Sequence, residues 1–303
     1  MKNKGYFLVA IAGILWGTIG IFVDSLIQNG LSPEQVAFTR LFLGFIILSL
    51  YSFFTTPENL KINKPTLIYS IIIGFICQAT FNFCYFNSIN KIGISLSAVL
   101  LYTSPLFVAL FSNIVYKEKI DKTKKISLGI CFIGAFIAVT GGTFNFSSLN
   151  LIGVILGIGS SITYALMPII SKKALNHCNS LTLIIYGFLF GAIFMTPLAK
   201  PWNMFHYLGD TSTLILMMGL GLIPAALAYI FYLSGIATGM DLSKVGIISS
   251  VELVISAILG WTIAGENFSI IKFLGVCFMI ISAIMVKSTE EEELNSDITS
   301  QAT

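Results

Sequence analysis

The sequence predicts an all-α membrane protein with ten transmembrane helices arranged as two inverted five-helix repeats. Three observations carry that prediction. The composition suits a chain solvated by lipid: 56% of its 303 residues are hydrophobic and 10% are charged, against about 25% charged in a soluble domain, and the mean hydropathy is +0.90. Ten mainly apolar stretches approach the roughly 20 residues that a bilayer-spanning helix needs. The chain also echoes itself where a five-plus-five repeat would place the echo.

The first stretch, 6–27, follows Lys2 and Lys4. It is too long for the apolar core of a signal peptide and has no small-x-small cleavage site, so it reads as an uncleaved span. The second, 34–54, begins after "QNGLSP"; the third, 66–88, after "TTPENLKINKP"; the fourth is 93–115. "YKEKIDKTKK" precedes the fifth, 124–141, and "TGGTFNFSS" the sixth, 149–171. "KKALNHCNS" leads into the seventh, 181–199, and "AKPWNMFHYLGD" into the eighth, 212–235. The ninth is 242–263, and "AGENFS" introduces the tenth, 269–287. Each break is rich in the Gly, Pro, Asn and charged residues that end helices. The repeats are therefore 5–141 and 149–287. The polar, acidic remainder 288–303 reads as a disordered cytosolic tail.

Charge orients the frame, because Lys and Arg are retained in cytoplasmic loops. With the N-terminus inside, thirteen fall on the inner side: Lys2, Lys4, Lys61, Lys64, Lys117, Lys119, Lys122, Lys124, Lys125, Lys172, Lys173, Lys244 and Lys287. Three fall outside, Lys91, Lys200 and Lys272, and Arg40 lies within a helix. The expected location is the cytoplasmic membrane, multi-pass, with both termini cytosolic. A net charge of +3 gives no reason to expect nucleic acid. Cys77, Cys84, Cys131, Cys178 and Cys277 form no close CxxC pair and read as small core residues.

The echo is "LGICF" at Leu128–Phe132 and "LGVCF" at Leu274–Phe278, each preceded by a glutamate just past a helix end, Glu118 and Glu266. Five is odd, so a second copy enters the membrane from the opposite side. Such inverted repeats build many secondary transporters, with the substrate near the midplane between them. Across roughly residues 5–287 the chain resembles the EamA-type members of the drug/metabolite transporter superfamily. The resemblance rests on "LWG" at Leu15–Gly17, Arg40 in "FTRLFLG", Ser104–Pro105, Glu118 and Glu266, in that order on the frame. Relatives often carry a proline after the ninth-helix glutamate, where this chain has Leu253. The resemblance implies export or import of small metabolites, often amino acids, by alternating access.

The expected substrate-binding set is Trp16, Gln78, Asn82, Tyr102, Tyr164, Ser249, Glu252 and Ser256. Glu252 sits near the middle of the ninth helix, on a stripe with Ser249, Ser256 and Gly260. Lipid cannot satisfy such a stripe, and a central ionisable group costs about 2.5–3.5 kcal/mol on insertion scales. It reads as a proton carrier or an anchor for a substrate amine; the competing reading is a structural glutamate bonded to serines and backbone. Gly74, Gln78, Asn82 and Tyr85 line the third helix as a polar wall or as interhelical glue. Gly13, Gly17, Gly20 and Asp24 stripe the first helix beside Trp16, and Gly153, Gly157, Ser160 and Tyr164 stripe the sixth; glycines at that spacing let helices pack closely.

Arg40 and Asp24 are expected to pair near the outer interface, with a substrate-carboxylate clamp by Arg40 as the alternative. Glu118 and Glu266 are expected to cap the helices that follow them, near Asp121 and Ser269. Pro105, Pro168 and Pro224 would each bend or break a helix. His177 and His206 fall in loops, so neither a metal nor another cofactor is expected. No membrane-enzyme motif is present, for "GLG" at Gly219–Gly221 is followed by Leu222 rather than Asp, and no channel filter is legible. The function expected is secondary transport of an amino-acid-like or amine-like metabolite, with proton-coupled export favoured. Uniport or exchange of a neutral metabolite, and a non-transporting receptor or scaffold, are the alternatives. The expected partners are a small-molecule substrate, protons, the lipid bilayer and a second copy in a homodimer.

Overall fold

A computed structural model describes residues 2–92, 94–142, 150–263 and 269–301. Among them all regular structure is helical. Nine helices are long and apolar enough to cross a membrane: α1 (Lys4–Gln28), α2 (Pro33–Thr55), α3 (Lys64–Ser88), α4 (Ser97–Tyr116), α5 (Lys122–Thr140), α6 (Leu151–Ala174), α7 (Ser180–Ala199), α8 (Thr211–Ile236) and α9 (Leu242–Thr262). The tenth, α10, spans Ile270–Gln301, and its segment Ile270–Met285 is apolar. The helix runs on through Gln301, across most of the stretch 288–303 expected to form a tail, where Glu290–Glu293 is a run of a strong helix former. Asn145–Ser148 and Glu266 lie outside the described residues.

Short polar residues in the loops start the helices. Ser32 and Gln35 form a reciprocal capping box ahead of α2. Asn63, Asp121, Asn150, Asn179 and Asp210 each accept the backbone N–H three residues on, at α3, α5, α6, α7 and α8. Glu118 does not cap α5, because Asp121 already does; its carboxylate turns to α9 instead.

The two halves exchange helices symmetrically. α1 packs on α8 and α9, as α6 packs on α3 and α4; α2 packs on α8, as α7 packs on α3. α2 with α7, α4 with α9 and α5 with α10 complete the set. This is the pattern that a two-fold relation between α1–α5 and α6–α10 generates. Glycine sets the closest crossings. A Cβ at Gly275 of α10 would fall 2.3 Å from the Ala138 nitrogen and 2.7 Å from the Gly134 carbonyl of α5. A Cβ at Gly17 of α1 would fall 2.5 Å from the Ile255 side chain and 2.9 Å from the Glu252 carbonyl. Gly153 and Gly157 of α6 press equally closely on the ends of α3 and α4. Gly20, expected on the α1 stripe, meets nothing, because the helix breaks at Thr18 and the stripe loses its register.

Helix interruptions cluster at mid-depth. α1 breaks at Thr18, α4 at Tyr102 and Thr103, and α9 at Ser250; α3 and α8 widen into π turns over Ile73–Thr80 and Gly221–Leu227. Pro105 therefore restarts a broken helix and Pro224 occupies a π turn, whereas α6 continues through Pro168. α9 is interrupted without the proline that Leu253 replaces.

Candidate functional site

The interruptions of α1 and α9 and the π turns of α3 and α8 surround one polar group of side chains. Trp16 is 5% exposed, two residues before the α1 break. Its ring meets Tyr164 of α6 edge-on at 6.4 Å, Tyr229 of α8 at 5.2 Å and Tyr232 at 4.8 Å. Such pairs contribute about 0.5–1.5 kcal/mol each beyond their burial, which holds four rings from three helices in one block. Phe81 of α3 tilts against Tyr164 at 5.7 Å.

Polar groups sit at two ends of this block. At one, Tyr229 Oη accepts from Gln78 Nε2 at 2.9 Å and from Arg40 Nη2 at 3.3 Å. At the other, Tyr164 Oη donates to Glu252 Oε2 at 3.3 Å. Tyr85, Tyr102 and Tyr232 also lie within electrostatic range of Glu252, and so does the Arg40 guanidinium. Arg40, Tyr229, Trp16, Tyr164 and Glu252 thus form an unbroken run from a cation to a carboxyl across the seam between the halves. Glu252, Tyr164 and Tyr102 each keep part of their surface open. Two buried polar atoms in the run have no hydrogen-bond partner among the described residues, Gln78 Oε1 and Trp16 Nε1. A buried polar group left unpaired costs about 1–3 kcal/mol, so these two atoms are where the packing leaves a polar group unsatisfied.

The other expected residues divide. Asn82 is buried and donates to the Gln78 carbonyl at 2.7 Å. Tyr102 occupies the α4 break and packs against an apolar cluster of α5, α9 and α10 that includes Cys131, Leu253 and Met279. Ser249 donates within α9 to the Gly246 carbonyl, and Ser256 donates at 3.1 Å to the Gly17 carbonyl at the α1 break. Both serines hold backbone, and Ser256 ties α9 to α1. The expected Asp24–Arg40 ion pair does not form. Asp24 is exposed and accepts from Gln28, whereas Arg40 turns inward to Tyr229. The break at Thr18 lies between Trp16 and Asp24, so the two do not share one continuous helical face. Tyr229 and Tyr232 lie outside the expected set, and Arg40 is in it only through the alternative of a carboxylate clamp. The available signal was two tyrosines three residues apart on α8, downstream of Pro224.

Two cavities lie among the described helices. A cleft of about 570 Å³ between α2, α7 and α8 has no charged lining residue, and Leu222 and Leu227 at its edge face outward. A smaller cavity of about 190 Å³ is lined by Glu34, Asn82, Phe83, Phe86, Asn87, Met195 and Leu198, and it reaches the polar wall of α3 from the face with few lysines. Chemistry rather than volume therefore marks the candidate site. Among the described residues no three His, Cys, Asp or Glu side chains converge as a metal ion would require.

Comparison with known proteins matches this architecture. The profile of the EamA-like transporter family matches the chain twice, over residues 3–140 and 151–288. An uncharacterized transporter of Archaeoglobus fulgidus is 23% identical over 93% of this chain and 95% of its own length. The uncharacterized inner membrane transporter YicL of Salmonella typhimurium is 25% identical over 94% of this chain and 95% of its own. A solved structure described only as the crystal structure of a protein superposes with a TM-score of 0.79 at 15% identity, covering 96% of this chain and 99% of that one, a likeness of fold. With a family profile matched on both halves, this multi-pass membrane protein belongs to the EamA-like transporter family.

Proposed function

We propose that the chain carries a small amino-acid-like metabolite by alternating access, with its ammonium at Glu252 and its carboxylate at Arg40. One observation supports this reading above the others: the Arg40–Tyr229–Trp16–Tyr164–Glu252 run places opposite charges at the two ends of an aromatic block. Guanidinium suits a planar carboxylate, and aromatic faces favour a neighbouring ammonium. Gln78 Oε1 and Trp16 Nε1 would complete the contacts. Ser249 and Ser256 frame the site from α9, Asn82 braces Gln78, and Tyr102 closes the Glu252 end. Glu252 can hold a proton or a substrate amine but not both, so release of one favours capture of the other, and flux is coupled to protons. The lysine-rich face is read as cytoplasmic, which makes proton-driven export the working direction.

The test is flux in proteoliposomes with an amino acid, its amide and its 2-keto acid. The amide lacks the carboxylate and the keto acid lacks the amine. Arg40→Gln should remove the preference for amino acid over amide. Glu252→Gln should keep the fold and lose pH-driven flux. Full pH-driven transport by a well-folded Glu252→Gln protein would refute the coupling.

A further inference from the structure

Glu118 lies two residues past the end of α4, in the first half of the chain, yet its carboxylate serves the second. It accepts the backbone N–H of Leu242 at 3.0 Å, and the N–H and hydroxyl of Ser243 at 3.4 and 3.3 Å, all in the first turn of α9. It also pairs with Lys172 near the end of α6 at 2.8 Å, with its side chain 9% exposed. The Lys172 ammonium sits 4.6 Å over the Tyr116 ring, and Tyr116 Oη donates to the Ile169 carbonyl at 2.7 Å. Asp241 occupies the position that normally caps α9 but makes no cap; its carboxylate pairs with Lys124 of α5 at 2.9 Å. Glu118 therefore supplies across the two halves what Asp241 would supply within its own helix. The Ser112 and Ser243 hydroxyls, 3.0 Å apart, join the same end.

The clasp lies on the lysine-rich face, and the site lies one lever arm away. From Leu242 to Glu252 is about 15 Å of helix. Between them α9 crosses α4 at Gly246, where a Cβ would come within 3.2 Å of Val108 and 3.3 Å of the Pro105 Cα. Past the crossing, α9 breaks at Ser250 and then presents Glu252. The first turn, the crossing with α4 and Glu252 thus follow one another along α9.

We propose that Glu118 is a positioning residue that latches the lysine-rich face shut: it holds the first turn of α9 against α4 and α6, and it must let go for the site to open to that face. The proposal rests on the alternating-access reading above. Spin labels at Lys119→Cys, just after α4, and Ala237→Cys, in the exposed turn that leads into α9, in a chain with its five native cysteines replaced, report the opening by distance in nanodiscs. Glu118→Gln should raise the ratio of long to short distances by roughly tenfold, the scale of one charge-assisted hydrogen bond. Lys172→Met should shift it in the same direction by less. Glu118→Asp should recover the short distance in part. The exchange Glu118→Lys with Lys172→Glu restores the ion pair but not the cap on α9, so it should stay open. An exchange variant as closed as the wild type would reduce Glu118 to an ion-pair partner and overturn the latch, as would a Glu118→Gln ratio equal to the wild type. If Glu118→Gln fails to fold, Glu118→Asp decides, since its shorter carboxylate draws back from the first turn of α9 and a ratio equal to the wild type overturns the latch. Bridging the two cysteines with a bifunctional thiol reagent tests the parent reading separately. Flux that survives the bridge refutes alternating access at this face, whereas flux lost on bridging with an unchanged Glu118→Gln ratio refutes only the latch.

Discussion

Tyr229→Phe removes one oxygen and leaves the ring in place. In the native protein that oxygen accepts from Gln78 Nε2 at 2.9 Å and Arg40 Nη2 at 3.3 Å. Gln78 is 1% exposed and its Oε1 already has no partner among the described residues, so losing the amide contact leaves a second buried polar atom unpaired. Such a group costs about 1–3 kcal/mol. Arg40 is half-buried and can turn to water, which makes its share smaller. The variant should lose about 2 kcal/mol of stability, and carboxylate substrates should bind roughly tenfold more weakly as the guanidinium loses its anchor. Adding Gln78→Met removes the orphaned donor as well. The double variant should be less destabilised than the sum of the single changes, with a coupling of about 0.5–3 kcal/mol. Thermal unfolding in detergent measures the stability cycle, and the KM for amino acid against amide measures the site. A Tyr229→Phe protein as stable as the wild type, with an unchanged KM ratio, would refute the assigned network.

Gly275→Ala places a methyl 2.3 Å from backbone nitrogen at the α5–α10 crossing; overpacking of this kind costs about 1–3 kcal/mol or more, and an unchanged melting temperature would show that α10 packs elsewhere. Asp24→Asn should stay within about 0.5 kcal/mol of the wild type, as surface changes do, while Arg40→Gln destabilises measurably; equal losses would revive the ion pair. The hydrogen bonds from the Thr213 side chain and N–H hold the Asp210 carboxyl below its ordinary value of 3.8. The stability it lends is present above that value and is lost as pH falls further, through the native value. The melting temperature of Asp210→Asn should therefore depend less on pH below about pH 4 than that of the wild type, and parallel curves would contradict the assignment.

The ten apolar stretches and the breaks between them were legible because each depends on nearby residues. Hydropathy is a sum over one segment, and Asn63, Asp121, Asn150, Asn179 and Asp210 cap amides three positions away. Trp16, Gln78, Tyr164 and Glu252 could be picked out because polar or amphipathic groups stand out against Leu, Ile and Val. Sequence proximity misled in two places. Glu118 stands next to α5, yet Asp121 is one residue from that helix and takes its amides, leaving Glu118 for α9 of the other half. Asp24 and Arg40 sit at similar depth, but the break at Thr18 separates Asp24 from the face that carries Trp16, and Arg40 finds Tyr229 instead. Tyr229 and Tyr232 look like any aromatic pair in an apolar helix; only the packing of α8 on α1 brings them against Trp16. The sequence by itself determined the apolar helices and the loops between them, because the forces behind them act within a few residues. The tertiary structure alone decided which charges face each other, because that depends on how the two halves of the chain cross, and no local pattern encodes the crossing.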